Sequence, residues 1–123
     1  MKKHNIAIVG LGRVGSVFLN ELMGEMVSGV KVVAAVEKAD TPAKALAEKS
    51  HIKVMSLDDL VAEGDKVDVV FDLSGGANVA DELHAKYAAK GNKHTIVAPE
   101  RIAHLMLTVM ENQKNLPDVH PQP

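Results

Sequence analysis

The chain has 123 residues, a formal net charge of −2 and no cysteine. That length suits one domain with a real core. The near-neutral charge, without a basic patch, argues against nucleic acid as the main partner, and the lack of cysteine excludes disulfides, thiolate metal sites and a cysteine nucleophile. Aromatic residues make up only 2% of the chain, so the core must be built from Val, Ile, Leu, Ala and Met, and stacking platforms for bases are disfavoured. No stretch approaches the ~18 apolar residues of a membrane span. The apolar run that follows Lys2-Lys3-His4 breaks before the ~7–15 residues a signal peptide needs. A cytoplasmic protein without a membrane partner is expected.

Ile6 to Val9 is a short continuous apolar run, the pattern of a strand buried on both faces. The run ends in Gly10, and a helical pattern starts at Arg13 and continues to Ser28, with Val14, Val17, Phe18 and Leu22 at helical spacing. Val30 to Val36 is a second β-branched run with Glu37 at its end. Thr41-Pro42 supplies an N-cap and a first-turn proline for a helix over 43–50. A brief third strand is expected over Ile52 to Met55, then a short helix capped by Ser56 and ending near Gly64. Val67 to Leu73 reads as the fourth strand, closed by Ser74-Gly75-Gly76. A helix over 77–90 follows, with Val79, Leu83 and Tyr87 four apart and Gly91 as its C′ residue. His94 to Ala98 is the fifth strand, and Pro99 is expected to open a last helix with Ile102, Leu105, Met106, Val109 and Met110 as its apolar stripe.

Strand and amphipathic helix therefore alternate five times, which predicts an α/β fold with a parallel sheet covered on both faces. Gly10, Gly12 and Gly15 form G-x-G-x-x-G on the first strand–helix turn, the place of the dinucleotide fingerprint. The expected fold is a Rossmann-type, doubly wound, five-stranded parallel sheet of order 3-2-1-4-5, with the flavodoxin-like order 2-1-3-4-5 as runner-up. Residues 1–114 are read as one dinucleotide-binding domain and 115–123 as a flexible C-terminal tail. With no sixth strand in the pattern, the fifth strand has an open edge. Such an edge is a liability, so it is expected to be covered by the segment from Pro117 to Pro121 or by a symmetric dimer contact.

Gly10 permits the tight turn, Gly12 the approach of backbone to a pyrophosphate, and Gly15 close packing of helix on strand. Glu37 stands where an acidic residue accepts the adenosine ribose hydroxyls, and its charge favours NAD over NADP. Lys38 beside it can pair with a 2′-phosphate and leaves NADP open. Arg13 and Val14 lie at the helix start where the pyrophosphate would rest, although Arg13 reads equally as a surface residue framing the helix. At the switch point between the first, fourth and fifth strands, Ser74, Gly75 and Gly76 with Ala98-Pro99-Glu100 would surround the far end of the ligand. Asp72 reads as a residue facing a neighbouring loop or helix rather than a base. The six histidines show no ligand-like spacing, so no metal is expected.

The run Ile6–Gly15, Glu37, and Val67–Gly76 together resemble the NAD(P)-binding domain of the homoserine dehydrogenase and aspartate dehydrogenase group, and more distantly the Gfo/Idh/MocA oxidoreductases. The resemblance spans Ile6 to about Asn112. It implies NAD(P) as cofactor and, for those enzymes, a second domain that binds substrate. It also implies a lysine just after the fifth strand, where this chain has Ala98-Pro99-Glu100-Arg101. Arg101 keeps the charge but stays protonated and cannot shuttle a proton. The leading expectation is a free-standing dinucleotide-binding module with a sensing or regulatory role. The alternative is an oxidoreductase whose site is completed by another subunit, through the last helix or the fifth-strand edge. A domain that binds another adenine ligand, such as coenzyme A, is the third reading.

Overall fold

The computed structural model describes residues 3–24 and 29–115. The expected helix end at Ser28, the tail beyond 115 and its Pro117–Pro121 segment lie outside these described residues. Five parallel strands, β1 (His4–Val9), β2 (Val30–Val36), β3 (Lys53–Val54), β4 (Val69–Asp72) and β5 (Ile96–Pro99), form one sheet of order β3-β2-β1-β4-β5. Helices α1 (Arg13–Gly24), α2 (Pro42–Lys49), α3 (Leu57–Ala62), α4 (Val79–Ala89) and α5 (Glu100–Asn115) alternate with them. The predicted 3-2-1-4-5 order is the order found.

The alternation of side chains along a strand divides the core into two layers. Ile6 and Ile8 of β1 face one side with Phe18, Leu19 and Leu22 of α1, Ala43 and Ala47 of α2, and Ala103 of α5. Ala7 and Val9 face the other side with Leu60 and Val61 of α3 and Leu83 and Tyr87 of α4. Both faces of β1 are sealed, which is why Ile6–Val9 is an unbroken apolar run. Tyr87 is buried with its hydroxyl lacking a partner among the described residues, and burial pushes that phenol up from its ordinary pKa.

Local chemistry sets the element ends. Thr41 Oγ1 accepts from the Lys44 N–H at 3.1 Å and Pro42 occupies the first helical position of α2. Ser56 Oγ does the same for the Asp59 N–H in α3. The α4 terminus closes with Gly91 N–H donating to Ala88 O and Asn92 N–H to Tyr87 O, a Schellman pattern with Gly91 at φ +69°.

Several expectations needed adjustment. Pro99 does not open the last helix; it is the final residue of β5, paired with Asp72, and α5 starts at Glu100. An edge strand tolerates a proline because one of its sides makes no ladder bonds. The α5 stripe also divides. Ala103, Met106, Leu107 and Met110 pack inward, while Ile102, Leu105 and Val109 are 40%, 58% and 54% exposed. Val17 of α1 likewise faces solvent, because only one flank of α1 meets the sheet. Among the described residues no helix is long and apolar enough to cross a membrane.

At the N-terminal end of the sheet, Asp68 ties three segments together. Its carboxylate accepts from the Asn5 N–H at 2.7 Å and meets His94 Nε2 at 2.6 Å. The backbone N–H of Asn5, followed by the His94 ring, holds this carboxyl below the usual carboxylate range. A depressed carboxyl stabilises the fold above its unfolded pKa of about 4. That contribution is lost as pH falls through the folded value. Thermal melts from pH 7 down to pH 2 should therefore show a steeper acid loss for the native chain than for Asp68→Asn, which starts less stable at pH 7. Parallel acid limbs for the two proteins would remove Asp68 from the acid response.

Candidate functional site

The C-terminal ends of the strands open into a cleft of about 1120 Å³. Its floor is the turn from β1 into α1, and the three glycines there do different work. Gly10 sits at φ +98°, and a Cβ on it would come 2.6 Å from Ser74 Cα and 2.7 Å from Ser74 N. The turns after β1 and β4 thus touch backbone to backbone. A side chain on Gly15 would overlap the carbonyl oxygen of Gly10, so α1 rests directly on the turn. Gly12 has an ordinary φ, and a Cβ built on it meets nothing within 4 Å. Two glycines are demanded by the folded chain itself, and the third is not. What Gly12 keeps clear is space on the cleft side, next to first-turn N–H groups of α1 that have no intrahelical acceptor. A pyrophosphate fits that combination of open space and donors. The loop is held by Ser16, whose Oγ donates to Leu11 O at 3.0 Å and whose N–H donates to Gly12 O at 2.9 Å.

Glu37, just past β2, is engaged rather than solvated. Its Oε1 accepts from the Leu11 N–H at 2.6 Å and its Oε2 from the Ala39 N–H at 3.0 Å. The carboxylate pins the glycine turn to the end of β2. A carboxylate offers about four acceptor positions, so the two bonds made here leave capacity for a ribose diol. Lys38 lines the same part of the cleft. Lys44 of α2 also lines it, with its ammonium 3.5 Å from Asp40.

At the other end, Asp72 organises the loop after β4. Its Oδ1 accepts from Ser74 Oγ at 2.7 Å and from the Ser74 N–H at 3.2 Å, while Ser74 Oγ accepts from the Gly76 N–H at 3.2 Å. Asp72 therefore works as a loop anchor. Gly75 takes a left-handed conformation at φ +75° beside it.

Gly10, Gly12, Arg13, Val14, Glu37, Lys38, Ser74 and Gly75 all line this one cleft. Gly15, Gly76, Ala98 and Pro99 do not. Gly15 is buried beneath the turn, and Ala98 is 6% exposed, packed in the core layer that also holds Ala103 of α5. Ala98 lies within β5 in that core layer, and Glu100, past the end of the strand at the start of α5, reaches the cleft instead. Sequence reasoning also passed over the outer wall formed by Val54–Asp58, Val79 and Glu82. The signal for it was positional, since these residues follow β3 or open α4 and so sit at the same sheet end. Asp58 in that wall bonds Lys86 Nζ of α4 at 2.6 Å, which lowers the carboxyl and raises the amine. Among the described residues no group of three or more histidine, aspartate or glutamate side chains is placed to hold a metal ion.

Comparison with known proteins agrees with this architecture. No curated protein sequence matches the chain. The chain is similar in structure to homoserine dehydrogenase from S. aureus, with a TM-score of 0.59 and 18% identity over 94% of this chain and 31% of that one. It is similar to scyllo-inositol dehydrogenase from Lactobacillus casei, solved with NAD(H) and scyllo-inositol, with a TM-score of 0.56 and 23% identity over 94% of this chain and 35% of that one. It is also similar to RSP, a Rex-family repressor, with a TM-score of 0.55 and 15% identity over 92% of this chain and 60% of that one. The chain thus spans about a third of the length of the dehydrogenases it matches. The pattern of one family runs through residues 4–99, from β1 through β5, and this chain belongs to that oxidoreductase family with the NAD-binding Rossmann fold.

Proposed function

We propose that the cleft binds NAD(H) and that the domain serves as a nucleotide-sensing or regulatory module. The observation that carries the ligand is the pairing of Gly12, where a side chain would meet nothing within 4 Å among the described residues, with Glu37 seated at the same turn. Gly12 and the start of α1 would hold the pyrophosphate, Glu37 the adenosine ribose, and Ser74 and Gly75 the far nucleoside. Bound NAD supplies a nicotinamide that accepts or donates hydride. The residues that follow β5 are Glu100 and Arg101. Neither is the lysine that the dehydrogenase resemblance implies, and Arg101 does not line the cleft. That difference favours sensing over turnover. The fold itself accommodates both roles, since it is shared by dehydrogenases and a repressor.

A second reading is an NAD(P)-dependent oxidoreductase completed by another subunit. It rests on the outward apolar residues Ile102, Leu105 and Val109 of α5 and on Ile96 of β5, which is 63% exposed at the sheet edge. A homodimer or a separate partner would cover them. Sedimentation of the purified chain as a monomer at high concentration would count against the homodimer.

Calorimetric titration with NAD, NADH, NADP and coenzyme A tests the ligand. NAD and NADH are expected to bind, coenzyme A not to, and NADP to bind at least about tenfold more weakly because Glu37 repels a 2′-phosphate. Glu37→Gln should narrow the gap between NAD and NADP. Failure of all four ligands to bind a folded sample overturns the proposal. Hydride transfer from homoserine, aspartate or a sugar alcohol would replace sensing with the second reading.

A further inference from the structure

We infer that Glu100 makes the cleft discriminate between the two redox forms of the dinucleotide, in favour of the oxidised one. The inference rests on the reading of the cleft as an NAD(H) site. Strand order gives the ligand its direction. Glu37 follows β2, the glycine turn follows β1, and Glu100 follows β5, so the two carboxylates flank the turn on opposite sides. With the adenosine ribose at Glu37 and the pyrophosphate over Gly12, the nicotinamide end extends toward Ser74, Gly75 and Glu100. Glu100 is the charged member of that group, and all three line the cleft.

The oxidised pyridinium ring carries a positive charge that the reduced ring lacks, while the rest of the two molecules is alike. A fixed charge at that end therefore enters the affinity difference directly. Glu100 is held in place by His104 one turn later, with Nε2 3.1 Å from Glu100 Oε2. It also offsets the partial positive charge at the start of α5, which would otherwise disfavour a pyridinium. Both carboxylate and cleft are open to water, so screening limits the preference to about three- to tenfold.

The test is calorimetric titration of the full chain with NAD+, NADH and ADP-ribose, which has no nicotinamide. Wild type is compared with Glu100→Gln and with Asp65→Asn, an exposed carboxylate at the opposite end of the sheet. Wild type should bind NAD+ about three- to tenfold more tightly than NADH. Glu100→Gln should remove that preference through weaker NAD+ binding, with NADH and ADP-ribose within about twofold of wild type. Asp65→Asn should keep it. An unchanged NAD+/NADH ratio in Glu100→Gln overturns the inference, as does an equal loss of ADP-ribose, which would make Glu100 a general support of the cleft. In both cases the ligand reading survives because ADP-ribose binds wild type. Wild type that binds none of the three ligands overturns that reading, and the inference falls with it.

Discussion

Gly15→Ala is expected to lower the melting temperature by more than about 10 °C, whereas Gly12→Val should leave it within about 2 °C and weaken NAD binding by about 100-fold or more. The two glycines are three residues apart in the same motif, yet they face opposite constraints. A methyl group on Gly15 overlaps the Gly10 carbonyl oxygen, a backbone atom that cannot turn aside. Relief requires α1 to lift off the turn, and Phe18, Leu19 and Leu22 are buried on that helix. Gly12 is the reverse case. Its side-chain direction is empty in the folded chain, so valine costs the fold little and occupies the ligand's place. Circular dichroism melts give the first effect and calorimetry with NAD the second. A Gly12→Val protein that binds NAD as tightly as wild type would show that the pyrophosphate lies elsewhere. A Gly15→Ala protein with a wild-type melt would show that α1 does not rest on the turn.

Phe18→Ala should cost about 3–5 kcal/mol, a large fraction of the stability of a domain this size. Phe18 is fully buried, and its ring centroid lies 4.7 Å from that of Phe71 at an interplanar angle of 58°. These are the only two phenylalanines in the sequence, and they clamp α1 to β4, the strand whose following loop abuts Gly10. Small aliphatic neighbours such as Ala35, Ala98 and Ala103 share this core layer and cannot extend to refill the space. Urea unfolding should show a lower midpoint with an unchanged slope. A loss under about 1 kcal/mol would mean that the layer collapses around the missing ring. Truncation should also weaken NAD binding, since the glycine turn depends on where α1 sits.

Element order and the place of the glycine turn were legible in the sequence, and the sheet order was the first of two it allowed. These are carried by short-range signals: apolar runs, the glycine spacing, Thr41-Pro42 and Ser56 as caps, and Gly91 as a terminator. Chirality and crossover rules then leave few ways to wind five strand–helix units. The three glycines came apart only once the chain was folded, because whether the fold has room for a side chain depends on atoms distant in sequence. Ser74, far along the chain, meets Gly10, while nothing meets Gly12. The same holds for Glu37, which the sequence placed at a strand end and the structure bonded to Leu11. It holds for Ala98 and Glu100 too. Both sit near the switch point, but packing among Phe71 and Ala103 buries one in the core and the first turn of α5 brings the other to the cleft. The division of the α5 stripe into an inward and an outward half followed from which flank met β4 and β5, a matter of packing geometry that helical periodicity does not encode.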